Sequence, residues 1–177
     1  MQDDLKFYHL SGKPNLMGPI FGILFGTILG LPLSFVYAYA VYYIPFIYIN
    51  FLISLGYAFC VCVVYTIGEK LGHNRNRFLS FLGTLTLTII TLYFAWVAFF
   101  FVISKHEFPY WELLISPNGV WACIKRIVEI GWFSMGSSKE TVKGTFYAIL
   151  LIAEALGYLW FFLTAGLLDA SNVYCEE

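Results

Sequence analysis

Four long stretches of this chain carry almost no charge, and polar segments of very different length separate them. The first apolar run extends from about Leu16 to Tyr43, the second from Ile44 to Gly68, the third from Phe78 to Ile103 and the fourth from Thr145 to Leu168. Each meets the length of about 20 apolar residues that a helix needs to cross a hydrocarbon core of about 30 Å. The third run contains a TLTLT alternation that would suit a strand. Its 26 residues hold no charge and no turn signal, however, and predict a helix in lipid.

The separators predict how the runs are joined. Only the Tyr42–Pro45 region, without a charge, lies between the first two, which makes them an antiparallel hairpin. Tyr42, Tyr43, Phe46 and Tyr48 would then form an aromatic belt at one interface. The polar segment EKLGHNRNR joins the second and third runs. Residues 104–144 form the longest connection, with Ser116-Pro117-Asn118-Gly119 as a turn signal. The following stretch, about 119–132, places Val120, Ile124, Ile127, Val128 and Gly131 on one helical face, and Lys125, Arg126 and Glu129 on the other. This pattern predicts an amphipathic helix lying in the interface. The expected fold is therefore an all-α integral membrane protein: a single membrane domain over 1–177, with four transmembrane helices and an interfacial amphipathic helix between the third and fourth.

Composition supports lipid as the main solvent. The chain of 177 residues is 60% hydrophobic, 20% aromatic and only 12% charged, with a formal net charge of -1. Soluble domains carry roughly 25% charged residues. A disordered tail, a basic nucleic-acid-binding face and an ordinary water-soluble enzyme are excluded on these grounds. Ala38-Tyr39-Ala40 mimics a signal-peptidase site, but Asp3 and Asp4 in the leader and the length of the run before Ala38 favour a retained span.

Orientation rests on a tie. With four spans, Lys6, Lys13, Lys70, Arg75 and Arg77 fall on one side, and Lys105, Lys125, Arg126, Lys139 and Lys143 on the other. The compact Lys70–Arg77 loop and the chargeless hairpin tilt the reading toward cytoplasmic termini.

The sharpest pattern is Gly18, Gly22, Gly26 and Gly30, a glycine at every fourth position. Such a face lets another helix backbone come close. It serves either internal packing or a second subunit, with internal packing favoured, and Pro32 beyond it is expected to kink the helix. The third run carries Ser80, Thr84, Thr88, Thr91, Ala95 and Ala98 at helical spacing, and the second carries Asn50 and Ser54, followed by Tyr57 or Ala58. Interhelical hydrogen bonding explains these stripes better than a solute path.

Glu154 is the one ionisable residue well inside a predicted span, which makes it the leading functional candidate. Depth counting puts it level with Gly30, Ser54 and Thr91. It is expected to be protonated, or hydrogen-bonded to Ser54, Thr91 or Tyr158, in a pocket closed over by the first helix. Lys125 and Arg126 would attract anionic headgroups or a partner. His9, His73 and His106 lie in three separate extramembrane segments, and Cys60, Cys62, Cys123 and Cys175 form no CxxC pair. Cys175, in the terminal polar tail, is read as a free thiol. No catalytic constellation, metal site or cofactor site is expected.

The leading expectation is a non-catalytic structural, assembly or regulatory subunit of a membrane complex. Its partners would be the bilayer, other membrane subunits or further copies of itself, and no nucleic acid. The alternatives are a small transporter or channel using Glu154 and, least favoured, a membrane-embedded enzyme acting on lipid.

Overall fold

The computed structural model describes residues 15–44, 46–74, 76–105, 109–132 and 143–169, with side chains to Thr164, and all regular elements among them are helices. They are α1 Met17–Tyr43, α2 Ile47–Leu71, α3 Arg77–Ile103, α4 Tyr110–Ile115, α5 Pro117–Ile130 and α6 Thr145–Asp169. Four of them, α1, α2, α3 and α6, are long and apolar enough to cross a membrane. His9, His106, Lys6, Lys13, Arg75, Lys139 and Cys175 lie outside the described residues.

Local chemistry sets the helix ends. Asn76 caps α3, its Oδ1 accepting from the backbone N–H of Phe78 at 2.9 Å and of Leu79 at 3.2 Å. Ser116 caps α5 through the N–H of Gly119 at 3.3 Å, with Pro117 at the first helical position, where no amide partner is lost. Gly131 ends α5 with φ 79°, a conformation favouring glycine. α1 continues through Pro32 as a helix.

The helices differ from the sequence pattern at α2, α4 and α5. α2 extends to Leu71 rather than ending at Gly68, which draws Glu69 and Lys70 into the helix. The cause is a set of partners for Glu69 that hydropathy does not register. α4, which the sequence pattern did not predict, is a single short turn held to α3 by the Tyr93 hydroxyl, which donates to the carbonyl of Leu114 at 2.8 Å. α5 occupies 117–130 instead of 119–132, because Ser116 and Gly131 fix its ends.

The long helices form a ring in the order α1, α2, α6, α3. α1 packs closely on α2 and α3, whereas α6 meets the same two helices more sparsely. The glycines explain the difference. Gly18, Gly22, Gly26 and Gly30 are all buried. A methyl group at Gly22 would meet the Tyr65 ring at 2.7 Å, and one at Gly30 would meet Thr91 Cγ2 at 3.0 Å. A methyl at Gly26 would collide with Leu87, and one at Gly18 with Asn74. α2 answers with glycines of its own: Gly68 faces the backbone of Gly22, and Gly72 that of Gly18. The glycine face of α1 is thus occupied by α2 and α3 of the same chain.

Outward faces are apolar. Ile20, Leu24, Ile28 and Val36 of α1, and Ile149, Ile152, Leu156 and Trp160 of α6, are exposed. The hydroxyl stripe of α3 points inward, with Ser80, Thr84, Thr88 and Thr91 all buried. Thr84, Thr88 and Thr91 return their hydroxyls to carbonyls one turn back at 2.7–2.8 Å, which satisfies each donor within the helix.

Candidate functional site

The ring leaves an axis, and tyrosines fill it. Tyr37 of α1 reaches across to α6, where its hydroxyl donates to Glu154 Oε1 at 2.9 Å. Ser54 of α2 lines the same cavity as Glu154. Tyr57 of α2 donates toward the carbonyls of Gly30 on α1 and Thr91 on α3, each at 3.1 Å. Thr91 and Tyr158 pair through their hydroxyl oxygens at 2.9 Å. The rings of Tyr37, Tyr57 and Tyr158 follow one another at centroid distances of 5.6 and 5.8 Å.

Glu154, Ser54, Thr91 and Tyr158 are therefore brought into one cluster, but with a different wiring from the expected one. Glu154 accepts from Tyr37, while Thr91 and Tyr158 bond to each other. Tyr37 was missed because tyrosines are plentiful in this chain, whereas Tyr57 was placed in the polar stripe of α2 without being assigned to this cluster. A signal existed: Tyr37 lies one turn beyond Leu33 and two beyond Gly30, on the glycine side of α1. The cluster encloses a cavity of ≈ 20 Å³ lined by Tyr37, Ser54, Tyr57, Trp96, Glu154 and Tyr158 among others. About 10–15 Å³ of such space holds one water.

A second opening of ≈ 300 Å³ reaches the same carboxyl from the side, between α2 and α6. Ile47, Tyr48, Phe51, Leu150 and Ala153 line it, together with Asn50 and Glu154. Asn50 is 2% exposed, and neither its Oδ1 nor its Nδ2 has a hydrogen-bond partner. An unpaired buried amide costs roughly 1–3 kcal/mol, so this side chain calls for a partner.

A buried carboxylate lies at the end of the bundle where α2 turns into α3. Glu69, 5% exposed, accepts from the Tyr65 hydroxyl at 3.0 Å, from Asn74 Nδ2 at 3.2 Å and from the Ser80 hydroxyl at 2.6 Å. Gly22 and Gly83 leave the room that Tyr65 needs. The sequence placed Glu69 in a solvated loop, since EKLGHNRNR is polar throughout.

Lys125, Arg126 and Glu129 are exposed on α5, whereas Val120 and Ile127 are buried. Lys125 Nζ sits 5.7 Å from the centre of the Trp121 ring. His73 is exposed beside the end of α2. Among the described residues no three His, Cys, Asp or Glu side chains converge as a metal site, and Cys60, Cys62 and Cys123 form no disulfide. No protein-family model matches this chain, and neither a curated protein nor a solved structure gives a significant match.

Proposed function

We propose that the chain is a multi-pass integral membrane protein that acts as a non-catalytic structural, assembly or regulatory subunit of a membrane complex. The observation that carries this reading is Asn50. Its amide is buried, unpartnered and set in an open groove between two membrane-length helices. In a bilayer no water satisfies such a group, and polar side chains of neighbouring helices do so instead. The occupant is a transmembrane helix of another subunit, or of a second copy, that packs along this groove and offers a hydrogen-bonding side chain to Asn50 as the buried amide turns outward. The glycines Gly18, Gly22, Gly26 and Gly30 act as an internal zipper and are not the docking face. α5 lies in the interface with Lys125 and Arg126 toward the headgroups, and the termini are cytoplasmic.

The test is purification of the full chain in mild detergent, with the mass of the complex measured. A partner at fixed stoichiometry that Asn50→Leu releases supports the reading. A lone monomer, or a complex indifferent to Asn50→Leu, overturns it.

A second reading, a small transporter or channel, draws on the side opening that reaches Glu154. It requires the carboxyl to exchange protons or cations with water. Labelling by a water-soluble carbodiimide, quenched at high pH and absent in Glu154→Gln, separates it from the first. The ≈ 20 Å³ cavity at the carboxyl favours a hydrogen-bonded lock over a path.

A further inference from the structure

An apolar cavity of ≈ 430 Å³ lies where the C-terminal end of α3 meets α5. Phe100, Ile103, Ile127 and Ile130 form its walls, and Arg126 and Trp132 also line it. Its size falls in the range of about 300–1,000 Å³ typical of ligand sites. Two polar features distinguish it from a simple packing gap. Arg126 is exposed and has no ion-pair partner among the described residues. The Trp132 indole N–H is buried and has no acceptor. Trp132 cannot turn freely to find one, because its ring stacks on Tyr42 at 5.6 Å and meets Phe99 edge-on at 6.2 Å.

We propose that this cavity binds one anionic phospholipid, with an acyl chain between α3 and α5 and the phosphate on Arg126. The proposal rests on the membrane reading above. Three observations select this occupant. The walls are apolar and demand a hydrocarbon body. Ser104, which also lines the cavity, gives its hydroxyl to the carbonyl of Phe101, and the groups left without partners are one cation and one donor, which match an anionic head with several acceptors. The cavity also sits at the end of a membrane-length helix, on the side of the Tyr42–Tyr43 hairpin end of α1, where headgroups lie. Charge at this end agrees: among the described residues, Lys105, Lys125, Arg126 and Lys143 outnumber Glu112 and Glu129. The carbonyl ends of α3 and α5 oppose an anion, but their partial charges fade within one turn, whereas the guanidinium carries a full charge. The headgroup therefore sits at the rim, on Arg126.

The experiment uses the full chain, purified in mild detergent, stripped of lipid and offered phosphatidylglycerol or phosphatidylcholine with identical acyl chains. Native mass spectrometry reads the lipid retained. One phosphatidylglycerol per chain, retained in preference to phosphatidylcholine, is expected. Arg126→Gln, at an exposed position that leaves folding intact, should weaken phosphatidylglycerol retention about fivefold or more and leave phosphatidylcholine unchanged. Arg126→Lys should restore part of it. Lys125→Gln, whose ammonium lies over Trp121 and outside the cavity lining, should weaken it far less than Arg126→Gln. Equal retention of the two lipids, or an equal loss in Lys125→Gln and Arg126→Gln, overturns the site. Release of the protein by an alkaline carbonate wash of membranes would instead overturn the membrane reading itself.

Discussion

Tyr37 and Glu154 meet at 2.9 Å across the axis of the bundle, joining two helices that otherwise share no extended packing. The bond crosses the α1–α6 diagonal, while Tyr57 crosses the α2–α3 diagonal to the carbonyl of Thr91. Side-chain hydrogen bonds between membrane helices are worth about 0.6–2 kcal/mol each. Tyr37→Phe should therefore lower stability by about 1 kcal/mol, read as a drop in Tm of the protein in detergent. Glu154→Gln keeps an acceptor for Tyr37 and should cost less than Glu154→Leu, which strands the Tyr37 hydroxyl. An equal loss from both replacements would show that the carboxyl plays no part in holding α6.

The close approach of α1 and α2 gives a sharper prediction. Gly68 lies against the backbone of Gly22, which has no side chain to move aside. Gly68→Val should destabilise by about 1–3 kcal/mol or more, the range of overpacking in a dense core. Gly56, on the same helix, has open space around it, and Gly56→Ala should be stabilising by about 0.5–1 kcal/mol. Thermal unfolding of both variants in one detergent checks the pair.

Glu69 allows a test of hydrogen-bond polarity. Tyr65, Asn74 and Ser80 all point donors at its carboxylate oxygens. Glu69→Gln sets an NH₂ group against at least one of those donors, and should cost about 1–3 kcal/mol despite its matching shape. Ser80→Ala removes one donor and should cost less. If Glu69→Gln unfolds at the same temperature as the parent chain, the network does not hold the α2–α3 end together.

These contrasts show why some of the architecture can be read from the residues and some cannot. The four helices long enough to cross a membrane follow from apolar length alone, since a bilayer imposes one dimension on any helix that crosses it. Thr91, Ser54, Tyr158 and Glu154 could be grouped because their depths agree. The partner of Glu154 could not be chosen that way, because depth does not fix rotation: Tyr37, with a long reach, takes a bond open by depth to several hydroxyls. Glu69 went unnoticed for a related reason. Its neighbours Lys70, His73 and Asn74 are polar, and a one-dimensional pattern cannot separate a solvated run from one folded onto itself. Gly68 and Gly72 likewise become meaningful only once Gly22 and Gly18 are set opposite them.

The ring order α1, α2, α6, α3 carries a consequence for biogenesis. Chains are made from the N-terminus, and the first three helices emerge well before α6, which follows a long connection. Their glycine contacts and the Glu69 network lie wholly within α1, α2, α3 and the turn joining α2 to α3. This trio can thus assemble while the fourth side of the ring is still open. During that interval Tyr37 and Thr91 face a gap with their eventual partners Glu154 and Tyr158 not yet synthesised. Docking of α6 closes the ring by delivering both at once, so the last helix made is the one that completes the polar interior.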